Sequence, residues 1–175
     1  CMKAPANLPK DDANYATPRR VYDAYMEILA PIESPSGGPV PSIWAKDLSS
    51  MVSKAIRREA GGTDIRRWKY WFHLASMSPF LMGFIEPRNS NFISFRITLD
   101  WFCKPVNLRK LREERFTQRL LDPQDAPWVR MAHAECIRLR AEVTNPDTFL
   151  NPTNPKNNAS PQGAGAPESQ RSLWA

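Results

Sequence analysis

The 175-residue sequence predicts a mainly α fold: a small helical domain of four to five helices with one short strand or hairpin, flanked by disordered termini. Three observations predict it. Apolar residues recur at three- and four-residue spacing in several runs between residues 17 and 143, the signature of helices that each bury one face. Proline and glycine punctuate the gaps between those runs. Beyond residue 144 the chain is largely Pro, Asn, Gly, Ser and Ala, too little apolar surface to offset the entropy of ordering. The expected division is a disordered leader over 1–16, a helical domain over 17–143 and a disordered tail over 144–175.

The first helix is predicted over 18–30. Thr17 is placed as its N-cap, Pro18 fits the first helical position, and Val21, Tyr22, Tyr25, Ile28 and Leu29 share one face. Pro31 ends it, and the Pro- and Gly-rich segment 33–39 cannot hold regular structure. A second helix is predicted over 43–60, with Ser42 as cap and Trp44, Leu48, Met51, Val52, Ala55 and Ile56 as its stripe. Gly61-Gly62 stops it. Thr63 or Asp64 then caps a third helix over 65–77, carrying Ile65, Trp68, Trp71, Phe72 and Ala75 and ending ahead of Pro79.

Gly83 is predicted to take positive φ after Phe80-Leu81-Met82. Residues 92–99 alternate apolar and polar side chains, the period of a strand packing one face. Asp100 is expected to cap a short turn through Trp101 and Phe102. Further helices are predicted over 105–116 and 126–143, the last with Trp128, Met131, Cys136, Ile137 and Leu139 apolar.

Composition excludes several classes of function. Cys1, Cys103 and Cys136 are too few and too scattered for a disulfide framework. No apolar run approaches the roughly 20 residues of a membrane span, and no secretory signal pattern opens the sequence, so a cytoplasmic protein without membrane partners is expected. His73 and His133 lack neighbours at metal-ligand spacing. There is no nucleophile elbow, no phosphate-cradling glycine loop and no paired-carboxylate pattern. A non-enzymatic protein with no metal and no cofactor is therefore expected, His73 packed and Cys103 a small buried hydrophobe.

Charge is the positive signal. The net charge is +6, yet residues 54–119 hold 14 Lys and Arg against 6 Asp and Glu, while the rest of the chain holds 10 against 12. A concentrated positive field favours a polyanionic partner, DNA first. The candidate phosphate contacts are Arg57 and Arg58 at the end of the second helix, Arg66, Arg67 and Lys69 on the third, and Lys104, Arg109, Lys110, Arg112 and Arg115 along the fourth. Arg109, Arg112 and Arg115 fall in one helical row. Trp44, Trp68, Trp71, Phe80, Phe95, Trp101 and Phe102 could stack on unpaired bases, but their spacing assigns most of them to the core. Phe84 or Phe92, beside a polar loop, is the expected exposed exception.

The run Ser78-Pro79-Phe80-Leu81-Met82-Gly83, followed by Asp100-Trp101-Phe102-Cys103-Lys104-Pro105-Val106-Asn107 and Lys110-Leu111, resembles the C-terminal module of phage and prophage DNA replication proteins of the replisome-organiser type. In that family a Ser-x-Phe-Leu-x-Gly turn precedes an Asp-Trp-Leu segment and a Lys-Pro-x-Asn run. Ser78, Phe80, Leu81, Gly83, Asp100, Trp101, Lys104, Pro105, Asn107, Lys110 and Leu111 match it, whereas Phe102 and the 112–116 ending depart from it. The resemblance spans roughly residues 20–120. It implies a replication adaptor that binds DNA and recruits the replicative helicase or another replisome protein. Relatives carry the module behind a winged-helix segment that this sequence does not include.

Two other readings remain open at this level. One is a protein-binding module that meets an acidic partner, with the tail and its Leu173-Trp174 as a tether. The other is a small transcription regulator using the second and third helices as a helix-turn-helix across Gly61-Gly62, against which stands the bulk of Trp68, Trp71 and Phe72.

Overall fold

The computed structural model describes residues 8–85, 95–113, 115–116 and 119–144. Six helices run through them: α1 (Pro18–Ile28), α2 (Lys46–Arg58), α3 (Ile65–Ser76), α4 (Leu99–Phe102), α5 (Pro105–Arg112) and α6 (Trp128–Thr144). The fold is mainly helical, and α4 is a single turn. Among the described residues no strand forms; the nearest approach is an isolated antiparallel bridge between Tyr15 and Asp64.

α3 is the centre of the molecule and packs against α1, α5 and α6. Its cap forms because Asp64 stays extended and its carboxylate accepts the Arg66 N–H at 2.9 Å, satisfying one of the orphan donors of the first turn. Ile65, Trp68, Trp71, Phe72, Leu74 and Ala75 are buried, and the Trp68 indole N–H is satisfied by the Gly62 carbonyl at 2.8 Å. Tyr25 of α1, Phe72 of α3 and Phe102 of α4 meet edge to face, with centroids 4.9–6.3 Å apart, the arrangement favoured by ring quadrupoles. α3 carries its apolar side chains into the core, and Arg67, Lys69 and Tyr70 are its partly exposed residues.

α1 begins as its sequence dictates, with the Thr17 hydroxyl accepting the Arg20 N–H at 3.3 Å and Pro18 in the first turn. Gly61 and Gly83 take φ of +71° and +74° at the turns that follow α2 and α3.

Four expectations are corrected. Residues 8–16 are not a disordered leader: the Ala16 N–H donates to the Thr63 carbonyl at 2.7 Å and the Ile65 N–H to that of Asn14 at 2.9 Å, so they belong to the fold and Ala16 is buried, while 1–7 lie outside the described residues. α2 starts three residues late. Ser42 does not cap it; its carbonyl accepts the Tyr22 hydroxyl at 2.7 Å. Trp44 leaves the helix to pack on Tyr22, with Arg19 over both rings, and Ile43 is left 88% exposed.

The predicted strand is the third. Residues 92–94 lie outside the described residues. From Phe95 to Thr98 the chain is irregular, although Ile97 and Leu99 are buried as the alternation requires. Its neighbour is the segment 37–40, and the single ladder-like bond runs from the Val40 N–H to the Ile97 carbonyl at 3.0 Å. Pro39 and Pro41 flank Val40 and have no N–H to extend a ladder. Fourth, α5 stops at Arg112, leaving Arg115 and Phe116 beyond its end. The turn holding Trp101 and Phe102 does form as α4, but Asp100 does not cap it: Thr98 is the N-cap residue and Asp100 lies inside the first turn. The tail prediction for 145–175 lies outside the described residues.

Candidate functional site

The site begins with one carboxylate. Glu59 follows α2 in an extended conformation, its N–H closing the helix onto the Ala55 carbonyl at 3.0 Å, and its side chain is 7% exposed. Two arginines from different helices share it: Arg58 Nε lies 2.9 Å from Oε1, and Arg112 of α5 places a guanidinium nitrogen 3.4 Å from Oε2. Arg58 also donates to the Cys103 carbonyl at 2.8 Å, which ties the end of α2 to the end of α4. Both side chains remain open to solvent, at 38% and 40%.

Arg67 of α3 lies over Gly61, where a Cβ would come within 2.4 Å of its Nε. Burial draws its pKa below the usual arginine value, Asp64 opposes that, and Arg112 and Arg66 add to it. A guanidinium stays charged through such a shift. Arg58 and Arg112 therefore put two positive charges on one carboxylate, with Arg67 close enough to Arg112 to feel its charge. Arg57 is exposed at the end of α2, and Arg109 is exposed one turn before Arg112. Among the described residues, the side chains of Arg57, Arg109 and Lys110 make no ion pair.

The other candidate cations go elsewhere. Arg66 is buried, its guanidinium held by both oxygens of Asp64 at 2.8 and 2.7 Å, so it is a structural ion pair and leaves the expected phosphate-contact set. Lys69 sits beside Arg66 on the groove that α3 floors between α1 and α6. Lys104 and Arg115 stand near the two ends of α5, paired with Asp100 at 3.9 Å and Glu113 at 2.6 Å. The expected row of Arg109, Arg112 and Arg115 is broken, because α5 ends between its second and third members.

A neighbouring groove, also lined by α1, α3 and α6, has a volume of about 650 Å³, with Trp128 and Met131 on one wall and Lys69, His73 and Arg138 alongside Glu27 and Glu135. Its charges are mixed. His73 is packed as expected, and burial pulls its pKa below the ordinary value against the opposing pull of Glu135. The Cys103 thiol is pushed up to about 12 by burial, with Asp100 adding to the shift, as suits an unreactive hydrophobe. Among the described residues no group of His, Cys, Asp and Glu could hold a metal ion, and no helix is long and apolar enough to cross a membrane.

Two features escaped the sequence reading. One is Glu59 as the carboxylate that Arg58 and Arg112 share; its signal was a lone acid between Arg57-Arg58 and Gly61-Gly62. The other is the identity of the exposed aromatic. Phe84 is half-buried against Trp128, 6.1 Å between centroids, and Phe92 lies outside the described residues. Phe80, expected in the core, is 40% exposed.

No protein-family model, curated protein or solved structure matches this chain.

Proposed function

We propose that this chain is a non-enzymatic adaptor of phage or mobile-element DNA replication. It contacts DNA phosphates through the arginines at the ends of α2, α3 and α5, and recruits a replisome protein, the replicative helicase first. One observation carries the phosphate-binding half: Arg58 and Arg112, each half-exposed, share a single buried carboxylate, with Arg67 beside them. Half-exposed ion pairs contribute little stability, and a guanidinium fork matches a phosphate as well as it matches a carboxylate. Arg57 and Arg109 extend the same edge. The replication setting rests on the resemblance carried by Ser78, Phe80, Leu81, Gly83 and the matching residues of 100–111.

Fluorescence anisotropy with labelled duplex and single-stranded DNA at about 50 and 200 mM salt tests the phosphate-binding half. Affinity should fall with salt, and on duplex Arg109→Ala should reduce the log–log slope by about 1, the signature of one lost phosphate contact. No affinity at about 50 mM salt, or affinity flat with salt, rejects the reading. For the recruiting half, helicase should be retained on immobilised protein; no retention rejects that role.

A further inference from the structure

Phe80 is exposed because its turn is rigid. The Ser78 hydroxyl accepts the Leu81 N–H at 3.3 Å, and the Met82, Gly83 and Phe84 N–H groups donate to the carbonyls of Ser78, Phe80 and Pro79 at 2.8–3.2 Å. Gly83 completes the turn in the left-handed region at φ +74°. This backbone sends Leu81 and Met82 into the core and Phe80 outward.

Phe80 does not stand alone there. Phe95 stacks on it with centroids 5.1 Å apart and planes 16° off parallel, and Phe116 does so at 5.9 Å and 5°. Trp101 meets Phe95 and Phe116 edge-on at 6.3 and 5.7 Å, and meets Phe102 of the core at 5.2 Å. Phe95, Trp101 and Phe116 are each only partly buried. Three separate chain segments thus bring phenyl rings into near-parallel order at the surface, braced from behind by an indole.

The surroundings are cationic. Lys104 is three residues after Trp101 and Arg115 adjoins Phe116, both more than 60% exposed and each engaged by a solvent-exposed carboxylate. Such pairs exchange readily for phosphate. From Lys104, α5 runs about 12 Å at 1.5 Å per residue to Arg112 and the Glu59 cluster. Trp101 ahead of α5 and Phe116 beyond it both join the aromatic surface, so that surface and the Glu59 cluster share one short helix.

We propose that Phe80, Phe95 and Phe116 form a base-stacking platform, so that the nucleic acid this protein holds is single-stranded. The proposal rests on the phosphate-binding reading above and adds strandedness to it. Unpaired bases present π-faces, which duplex bases keep for one another. The rings are already ordered by one another and by Trp101, so little rotamer freedom remains to be lost on binding. An apolar protein partner would find the same rings, but the neighbouring Lys104 and Arg115 favour a ligand that carries phosphates beside its apolar faces.

Anisotropy with three probes of equal length tests this: an oligothymidylate, an abasic strand with the same phosphates, and a duplex. The oligothymidylate should bind at least about fivefold tighter than the abasic strand, the lower bound for one stacked base. Phe80→Leu and Phe116→Leu keep apolar bulk but lose the π-face, and each should shrink that preference while leaving abasic binding unchanged. Phe80→Tyr should retain it. Far-UV circular dichroism and an unchanged melting temperature identify variants that still fold. Equal binding of oligothymidylate and abasic strand, or a preference surviving in folded Phe80→Leu and Phe116→Leu, overturns the platform and leaves phosphate binding standing. Tighter binding of duplex than of oligothymidylate overturns it as well. Absence of binding to all three probes removes the phosphate-binding reading itself.

Discussion

Two sets of aromatic rings sit side by side in this molecule and are put to different use. Tyr25, Trp68, Trp71, Phe72 and Phe102 are buried, and most of their pairs meet edge to face. Phe80, Phe95 and Phe116 are near the surface, with their planes almost parallel. Trp101 joins the sets through Phe102. Residue type alone does not distinguish them, since phenylalanine belongs to both. What separates them is the backbone: a helix face turns the first set inward, whereas the Ser78–Gly83 turn and the two chain segments beside it hold the second set out.

The sharpest way to break this comparison is to truncate one ring from each set. Phe72→Ala opens a cavity among fully buried neighbours and should cost about 3–5 kcal/mol in chemical denaturation. Phe80→Ala removes a side chain that is 40% exposed; it should cost about 1 kcal/mol, mostly lost ring contacts. Comparable losses at the two positions would mean that Phe80 is part of the core after all.

The arginines divide in the same way, with effects of intermediate size. Asp64 and Arg66 neutralise each other in a buried pair, both side chains 10% exposed. Asp64→Ala removes a helix cap together with the partner of a buried guanidinium, and a loss of about 3 kcal/mol is expected. Glu59→Gln relieves two arginines that water already reaches, so the loss should be about 1 kcal/mol or less. It also removes a negative charge from the cluster, so DNA affinity should rise at low salt. Urea denaturation gives the first pair of values and anisotropy the second. A Glu59→Gln protein with weakened DNA binding would show that Glu59 orients the arginines more than it restrains them.

The parts of this arrangement that were legible in the sequence are local. Thr17-Pro18 and Asp64 announce helix starts through hydrogen bonds to residues two or three positions on, and Gly83 announces a turn through a conformation other residues avoid. The burial alternation of residues 95–99 was legible too, but whether a ladder formed depended on Pro39 and Pro41, more than fifty residues away. The start of α2 was hidden for the same reason, since Tyr22 and Arg19 hold Trp44 outside the helix. For the site, counting charges pointed to the helices that carry Arg58, Arg67 and Arg112. It could not tell Arg66, neutralised by Asp64, from Arg112, which shares Glu59 with Arg58. Partner stoichiometry is a property of the packed chain.

The smallest expected effect concerns the groove flank of α3, and it asks whether the buried region excludes charge as it excludes water. His73 follows Phe72 and is 8% exposed. Burial lowers its pKa from the usual 6.5; Glu135 of α6 and Glu27 of α1 oppose the shift, while Lys69 and Arg138 reinforce it. The folded state then binds fewer protons than the unfolded state in the pH range between the lowered folded value and the unfolded one. Its contribution to stability is complete above about pH 6.5 and is lost progressively as the pH falls through the lowered folded value. Replacing the imidazole by a neutral amide removes this one titration and leaves the others in place. His73→Gln should therefore lose less stability than the parent protein between about pH 7.5 and about pH 5.5, measured as the change in urea midpoint. Parallel pH profiles would mean that the imidazolium is accommodated in place, with Glu135 and Glu27 close enough to offset its burial.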